Sequence, residues 1–191
     1  MKLVVAMFQG TFHTVTGTFS VPNISGQRVN SSASAVVGID GGTCADVMLL
    51  AGVLFTVTTT GPRYKAWYGW GLNSISPGHV IKLTVGTWGE TSGLAAVQNL
   101  NNNQSALRYF NSQRALCGQN AVWIVEDHAK DFGLPLANFG TVTFLEAKAD
   151  AKNGQTYLPQ GATITEIVEL GGQPMTSVSV NKDMVNIKYL Y

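Results

Sequence analysis

TFHTVTGTFSV, residues 11–21, decides the architecture: Val15, Phe19 and Val21 alternate with Thr14, Thr16, Thr18 and Ser20, and Pro22 to Gly26 then ends the run. A period of two with β-branched and aromatic residues is the pattern of a strand with one face buried. The same pattern recurs over Ala35 to Ile39, Val47 to Thr58, Tyr64 to Trp70, Val80 to Thr87, Ala95 to Asn99, Ala121 to Glu126, Gly140 to Leu145, Ala162 to Leu170 and Met184 to Tyr189. Turn formers separate the runs at Gly41 and Gly42, Gly61 with Pro62, Ser76 to Gly78, Asn99 to Asn103, Asn153 with Gly154, and Gly171 with Gly172. About ten short strands do not form one open antiparallel sheet without curling, so two packed sheets are expected. The reading is an all-β sandwich, a single domain over residues 1–191, with a turn or two of helix expected only within Gln104 to Leu116.

Composition narrows the function. The chain has 191 residues, 45% hydrophobic and 12% charged, so it has the means to bury a core and not the charge that keeps chains disordered. A formal charge of +1, with no long basic run, argues against nucleic acid as a partner. No apolar stretch approaches the ~20 residues that cross a bilayer, and Leu3 to Phe8 is too short for the core of a leader peptide. The chain reads as a mature form whose leader has been removed or as a cytosolic protein. Asn23, Asn30 and Asn103 fit the acceptor pattern for N-glycosylation, which matters only for a secreted protein. Cys44 and Cys117 lack metal-ligand spacing; they are one long-range disulfide or two buried thiols. No metal or cofactor is expected.

His13, His79 and His128 are scattered, and none lies in a recognisable nucleophile motif. The unusual group is Glu126, at the end of the apolar run Ala121-Val122-Trp123-Ile124-Val125. Counting by two puts Ile124, Val122 and Asn120 on its face, so a carboxyl emerges from an apolar strand surface. Burial there would raise its pKa, the condition a general acid or base needs near its working pH. The plainer reading is a solvated or salt-bridged strand-end carboxylate.

Four blocks carry a resemblance: AVVGIDGGTCADVMLLAGVLF (35–55), YKAWYGW (64–70), LCGQNAVWIVEDH (116–128) and LPLANFGTVTF (134–144). In order and spacing they resemble the glutamic peptidases, or eqolisins, fungal acid endopeptidases. The resemblance implies a concanavalin-like sandwich of two seven-stranded sheets with a substrate groove on its concave face, and it aligns Cys44 with Cys117 as a disulfide. It also implies catalysis by a Glu, acting as base on water and then as acid, with a Gln that binds the water and stabilises the oxyanion. Glu126 falls on the family's Glu. The family's Gln falls on Leu50.

A leucine neither donates to an oxyanion nor accepts from water, and loss of one oxyanion donor costs other hydrolases about two to three orders of magnitude in rate. Gly69 and Val122 stand where the family carries Glu, and Val36 where it carries Trp. The loop Gly71 to Pro77 is shortened, and Lys2 to Val5 replaces the opening Asn-Trp-Gly. The expected groove lining is Met48, Leu50, Trp67, Gly69, Val122 and Ile124 around Glu126, with Asp40 and Lys65 at the rim. An apolar concavity holding few polar groups is the general profile of a small-molecule site. The sequence therefore supports a homologue that has lost proteolysis and binds, or does acid/base chemistry on, a small apolar molecule. The alternatives are an acid endopeptidase that still cleaves peptides in the groove through Glu126, and a non-catalytic module for carbohydrate or protein. Apolar side chains filling a collapsed groove would be the purely structural outcome.

Overall fold

The computed structural model describes residues 2–24, 26–44, 47–67, 74–128, 133–169 and 171–191, with only the backbone for residues 2–6. Among the described residues fourteen strands follow in chain order: β1 Lys2–Gln9, β2 Phe12–Ser20, β3 Ser31–Ile39, β4 Leu49–Thr58, β5 Gly61–Ala66, β6 Val80–Thr87 and β7 Ser92–Asn99. They continue with β8 Gln104–Asn111, β9 Asn120–Asp127, β10 Thr141–Ala151, β11 Thr156–Tyr157, β12 Thr163–Thr165, β13 Thr176–Asn181 and β14 Met184–Tyr189. Six form one sheet in the order β12-β1-β9-β3-β4-β5. Eight form the other, β13-β14-β10-β2-β6-β7-β8 with β11 on β10. All pairings between these strands are antiparallel. The sandwich is as expected, and among the described residues its strands divide six and eight rather than seven and seven.

The core lies between the sheets and is built by alternation. Ala33, Ala35, Val37 and Ile39 of β3, Val53 and Phe55 of β4, and Trp123 and Val125 of β9 meet Val15 and Phe19 of β2, Leu83 of β6 and Phe144 of β10. Trp123 lies over Gly17, where an added Cβ would come within 3.2 Å of its ring, and its indole N–H donates to the Thr16 carbonyl at 2.8 Å.

Two expectations are corrected, and a third falls partly outside the described residues. The stretch allowed a helix, Gln104 to Leu116, is instead β8 and its continuation, and no helix occurs among the described residues. Only Ala106 of β8 is fully buried, so this outermost strand carries little alternation to read. Of the run Tyr64 to Trp70, the stretch to Ala66 lies in β5 and the Trp67 N–H donates to the Gly52 carbonyl at 3.0 Å, while residues 68–70, Gly69 among them, lie outside the described residues. Ala162 to Leu170 yields the three-residue β12, where all three side chains are exposed.

What positions the site is an exception to one-sided burial. In β3 and β9 every residue is buried, on both faces. The inner sets belong to the main core; the outer sets form a separate layer on the far side of the six-stranded sheet.

Candidate functional site

The registers fix that outer face row by row. Gly38 of β3 pairs with Leu50 of β4 on one side and Val122 of β9 on the other; Val36 pairs with Gly52 and Ile124; Ser34 pairs with Leu54 and Glu126. Paired residues of antiparallel strands point to the same side. Val36, Leu50, Val122 and Ile124 accordingly form a hydrophobic cluster of their own, with Met7 and Trp67 packed against it. The row is tight because residue 38 has no side chain: a Cβ there would collide with Leu50 and come within 3.0 Å of Val122 Cγ2. Gly52 does the same for the next row, since a Cβ would lie 2.9 Å from Val36 and 3.5 Å from the Trp67 ring.

Glu126 stands at the end of this layer, 4% exposed, next to a polar group that the sequence reading did not assemble. Ser34, fully buried and the register partner of Glu126, has its Oγ 2.7 Å from His128 Nε2. The Trp67 indole N–H donates to the same oxygen at 3.2 Å, and its ring meets the His128 ring edge-on with centroids 6.2 Å apart. The signal lay in the same period of two: one step forward from Glu126 reaches His128, and one step back from Val36 reaches Ser34.

The other residues singled out from sequence divide. Leu50, Trp67, Val122 and Ile124 come together as expected. Met48 precedes β4, 36% exposed and against Gly41, outside the cluster. Lys65 is exposed, opposite Leu54. Asp40 is not at a rim. It is fully buried in a left-handed turn (φ 67°), and its carboxylate accepts from the backbone N–H groups of Gly118 at 2.9 Å and Gln119 at 2.8 Å. It thereby ties the turn after β3 to the start of β9, beside the Cys44–Cys117 disulfide. Asp40, Cys44 and Cys117 are close enough together to suggest a metal cluster, but both sulfurs are consumed in that bond.

Position 50 and Glu126 share a face without being neighbours. They lie two strands apart and four residues out of register, about 10 Å across and about 13 Å along the sheet, with Val36 and Ile124 between. Side chains that far apart cannot share one attacking water, so the expected pairing of position 50 with Glu126 is corrected: the β9 residue level with Leu50, across Gly38, is Val122, the other position where the resemblance expects a Glu. Asn120, the amide on the strand of Glu126, offers no replacement. It is six residues away, about 20 Å along the strand. Its Oδ1 accepts from Thr43 N at 2.9 Å and Gly42 N at 3.2 Å.

With this geometry in place, the likeness to known proteins can be weighed. The profile of the Peptidase A4 family matches residues 4–189. The chain belongs to the Peptidase A4 family. It is 37% identical to aspergillopepsin-2 of Aspergillus niger over 92% of this chain and 72% of that protein. With scytalidopepsin B of Scytalidium lignicola it shares 30% over 94% of the chain and 74% of the relative. Among solved structures, an eqolisin peptidase in complex with the tripeptide Ala-Ile-His superposes with a TM-score of 0.86 at 29% identity, covering 99% of this chain and 98% of that one. Aspergilloglutamic peptidase from A. niger superposes at 0.77 with 39% identity, over 84% of this chain and 99% of its own. The A4 fold thus extends through the whole sandwich, including the outer face that carries Glu126.

Proposed function

We propose that this A4 family member has lost the Glu/amide route of peptide hydrolysis and uses its outer-face site to bind, or to move a proton on, a small apolar molecule. The observation carrying this reading is Leu50, buried in hydrocarbon with Val36, Val122 and Ile124 where the family resemblance expects an amide. A water held for attack needs an acceptor and an oxyanion needs a donor, and no member of that cluster is either. What remains is a carboxyl at the edge of an apolar patch, with Trp67 packed at its side. A neutral, largely apolar molecule with one polar group matches that chemistry better than an extended peptide, whose amides would meet hydrocarbon.

The Cys44–Cys117 disulfide fits an oxidising compartment, so the proposal places the protein in the secretory pathway or outside the cell. Asn23, Asn30 and Asn103 are all exposed, as glycosylation there would require.

The test is native mass spectrometry of the wild type and of Glu126→Gln after incubation with medium-chain alcohols, aldehydes and carboxylic acids. The expected result is a retained ligand in the wild type that is weakened at least tenfold in Glu126→Gln. Absence of any retained ligand, or retention indifferent to residue 126, contradicts the reading.

A further inference from the structure

The Ser34–His128 contact allows a definite count of protons. An indole N–H only donates, so the bond from Trp67 Nε1 to Ser34 Oγ occupies one lone pair of that oxygen. The hydroxyl keeps one proton and one further lone pair for His128 Nε2, 2.7 Å away. Two arrangements satisfy this geometry. In one, Ser34 O–H donates to an unprotonated Nε2. In the other, Nε2–H donates to Ser34, and the hydroxyl proton turns to the face that Ser34 shares with Glu126. Their Cβ atoms, as directly opposed partners, are about 5 Å apart. Going from the first to the second takes a proton gained at Nε2 together with rotation of the hydroxyl about its Cβ–Oγ bond.

Building on the reading above, we propose that His128 is the second proton-carrying group of the outer-face site, joined to Glu126 through the Ser34 hydroxyl. The site is then an acid/base pair bridged by a serine, in place of a carboxyl and an amide. When a bound molecule gives a proton to the Glu126 carboxylate, the carboxyl passes it to Ser34 Oγ as the Ser34 proton moves to His128 Nε2. The return step runs in reverse, so no proton is lost and no co-reactant is needed. Ser34 acts through its neighbours and is a positioning residue. The other charged groups on the adjoining strands are Asp127 on β9, Arg63 and Lys65 on β5, and Lys2 on β1, the register partner of Asp127.

The ligand-free 191-residue chain suffices for the test. The ring Cε1–H of His128 is titrated by NMR in the wild type, Glu126→Gln, Ser34→Ala and the double variant. His13, in β2, and His79, beside β6, report whether the sandwich is intact. A carboxylate favours the imidazolium, so Glu126→Gln is expected to lower the His128 midpoint by about one pH unit. In the Ser34→Ala background that change is expected to fall to less than half, because the hydroxyl carries the coupling. A His128 midpoint indifferent to residue 126 overturns the proposal. So does an effect of Glu126→Gln that survives Ser34→Ala undiminished, which would be through-space attraction alone. Coupling without ligand retention would sink only the ligand-binding reading, and ligand retention without coupling only this one.

Discussion

Replacing Leu50 by glutamine restores the amide that the family resemblance expects and asks whether the outer face is dry. Leu50 is 9% exposed and packed among Val36, Val122 and Ile124. Glutamine keeps two of the four side-chain carbons. The two it loses are worth about 0.8 kcal/mol each, or roughly 1.6 kcal/mol of burial. Its amide, surrounded by hydrocarbon, adds about 1–3 kcal/mol of unmet hydrogen bonding. The total is a loss of about 3–5 kcal/mol. Leu50→Met, which conserves volume and adds no polar group, is expected to cost less than about 1.5 kcal/mol. Urea unfolding followed by tryptophan fluorescence, with the disulfide intact, resolves the two. At a slope of ~2.5 kcal/mol/M the glutamine variant unfolds more than 1 M earlier than the wild type. If Leu50→Gln proves no more costly than Leu50→Met, the amide has found water or a partner, and the dry cluster of the proposed function is wrong.

Reduction of Cys44–Cys117 opens a loop of sequence separation 73, and the chain-entropy relation gives a loss of about 4 kcal/mol, read as a lower urea midpoint with reductant. An unchanged midpoint would mean that Asp40 and its bonds to Gly118 and Gln119 hold that junction alone. Tyr189 has its pKa raised above 10.0, first by burial and then by the charges of Glu169 and Tyr191. The folded state therefore keeps the phenol proton after the unfolded chain has lost it. The contribution to stability is complete below about pH 10 and declines as pH rises through the folded value. Glu169→Gln should shift the phenolate absorbance of Tyr189 to lower pH, and a shift to higher pH would reverse the sign of the Glu169 contribution.

Strands with one buried and one exposed face were legible because alternation survives in them: β6, with Ile81, Leu83 and Val85 buried, has the bounds read from sequence. Legibility failed where a strand has too little to bury. Ala106 is the one fully buried residue of β8, and β12 has none, so tertiary pairing and not local pattern makes them strands. β1 was weighed as a membrane or leader segment and as the place of a missing family motif, not as a strand, yet it pairs along its whole length with β9. At the site, parity placed Leu50, Val122, Ile124 and Trp67 together correctly, since a period of two fixes the face. It could not give the register, which is set by β3, and so it left Leu50 and Glu126 closer in imagination than four residues of offset allow. The register also explains why the Ser34–His128 contact escaped notice. They lie 94 residues apart in sequence and meet only because β3 pairs with β9. Asp40 was misplaced because a left-handed residue breaks the strand geometry from which faces are counted.

The loss of proteolysis is tested most directly by digesting an unfolded protein at acid pH with the wild type, Glu126→Gln and scytalidopepsin B in parallel. With Leu50 in place of an amide, the wild type should cleave at least about 100-fold more slowly than scytalidopepsin B and no faster than its own Glu126→Gln variant. Cleavage near the rate of scytalidopepsin B that disappears in Glu126→Gln would contradict that loss and return the outer face to peptide hydrolysis.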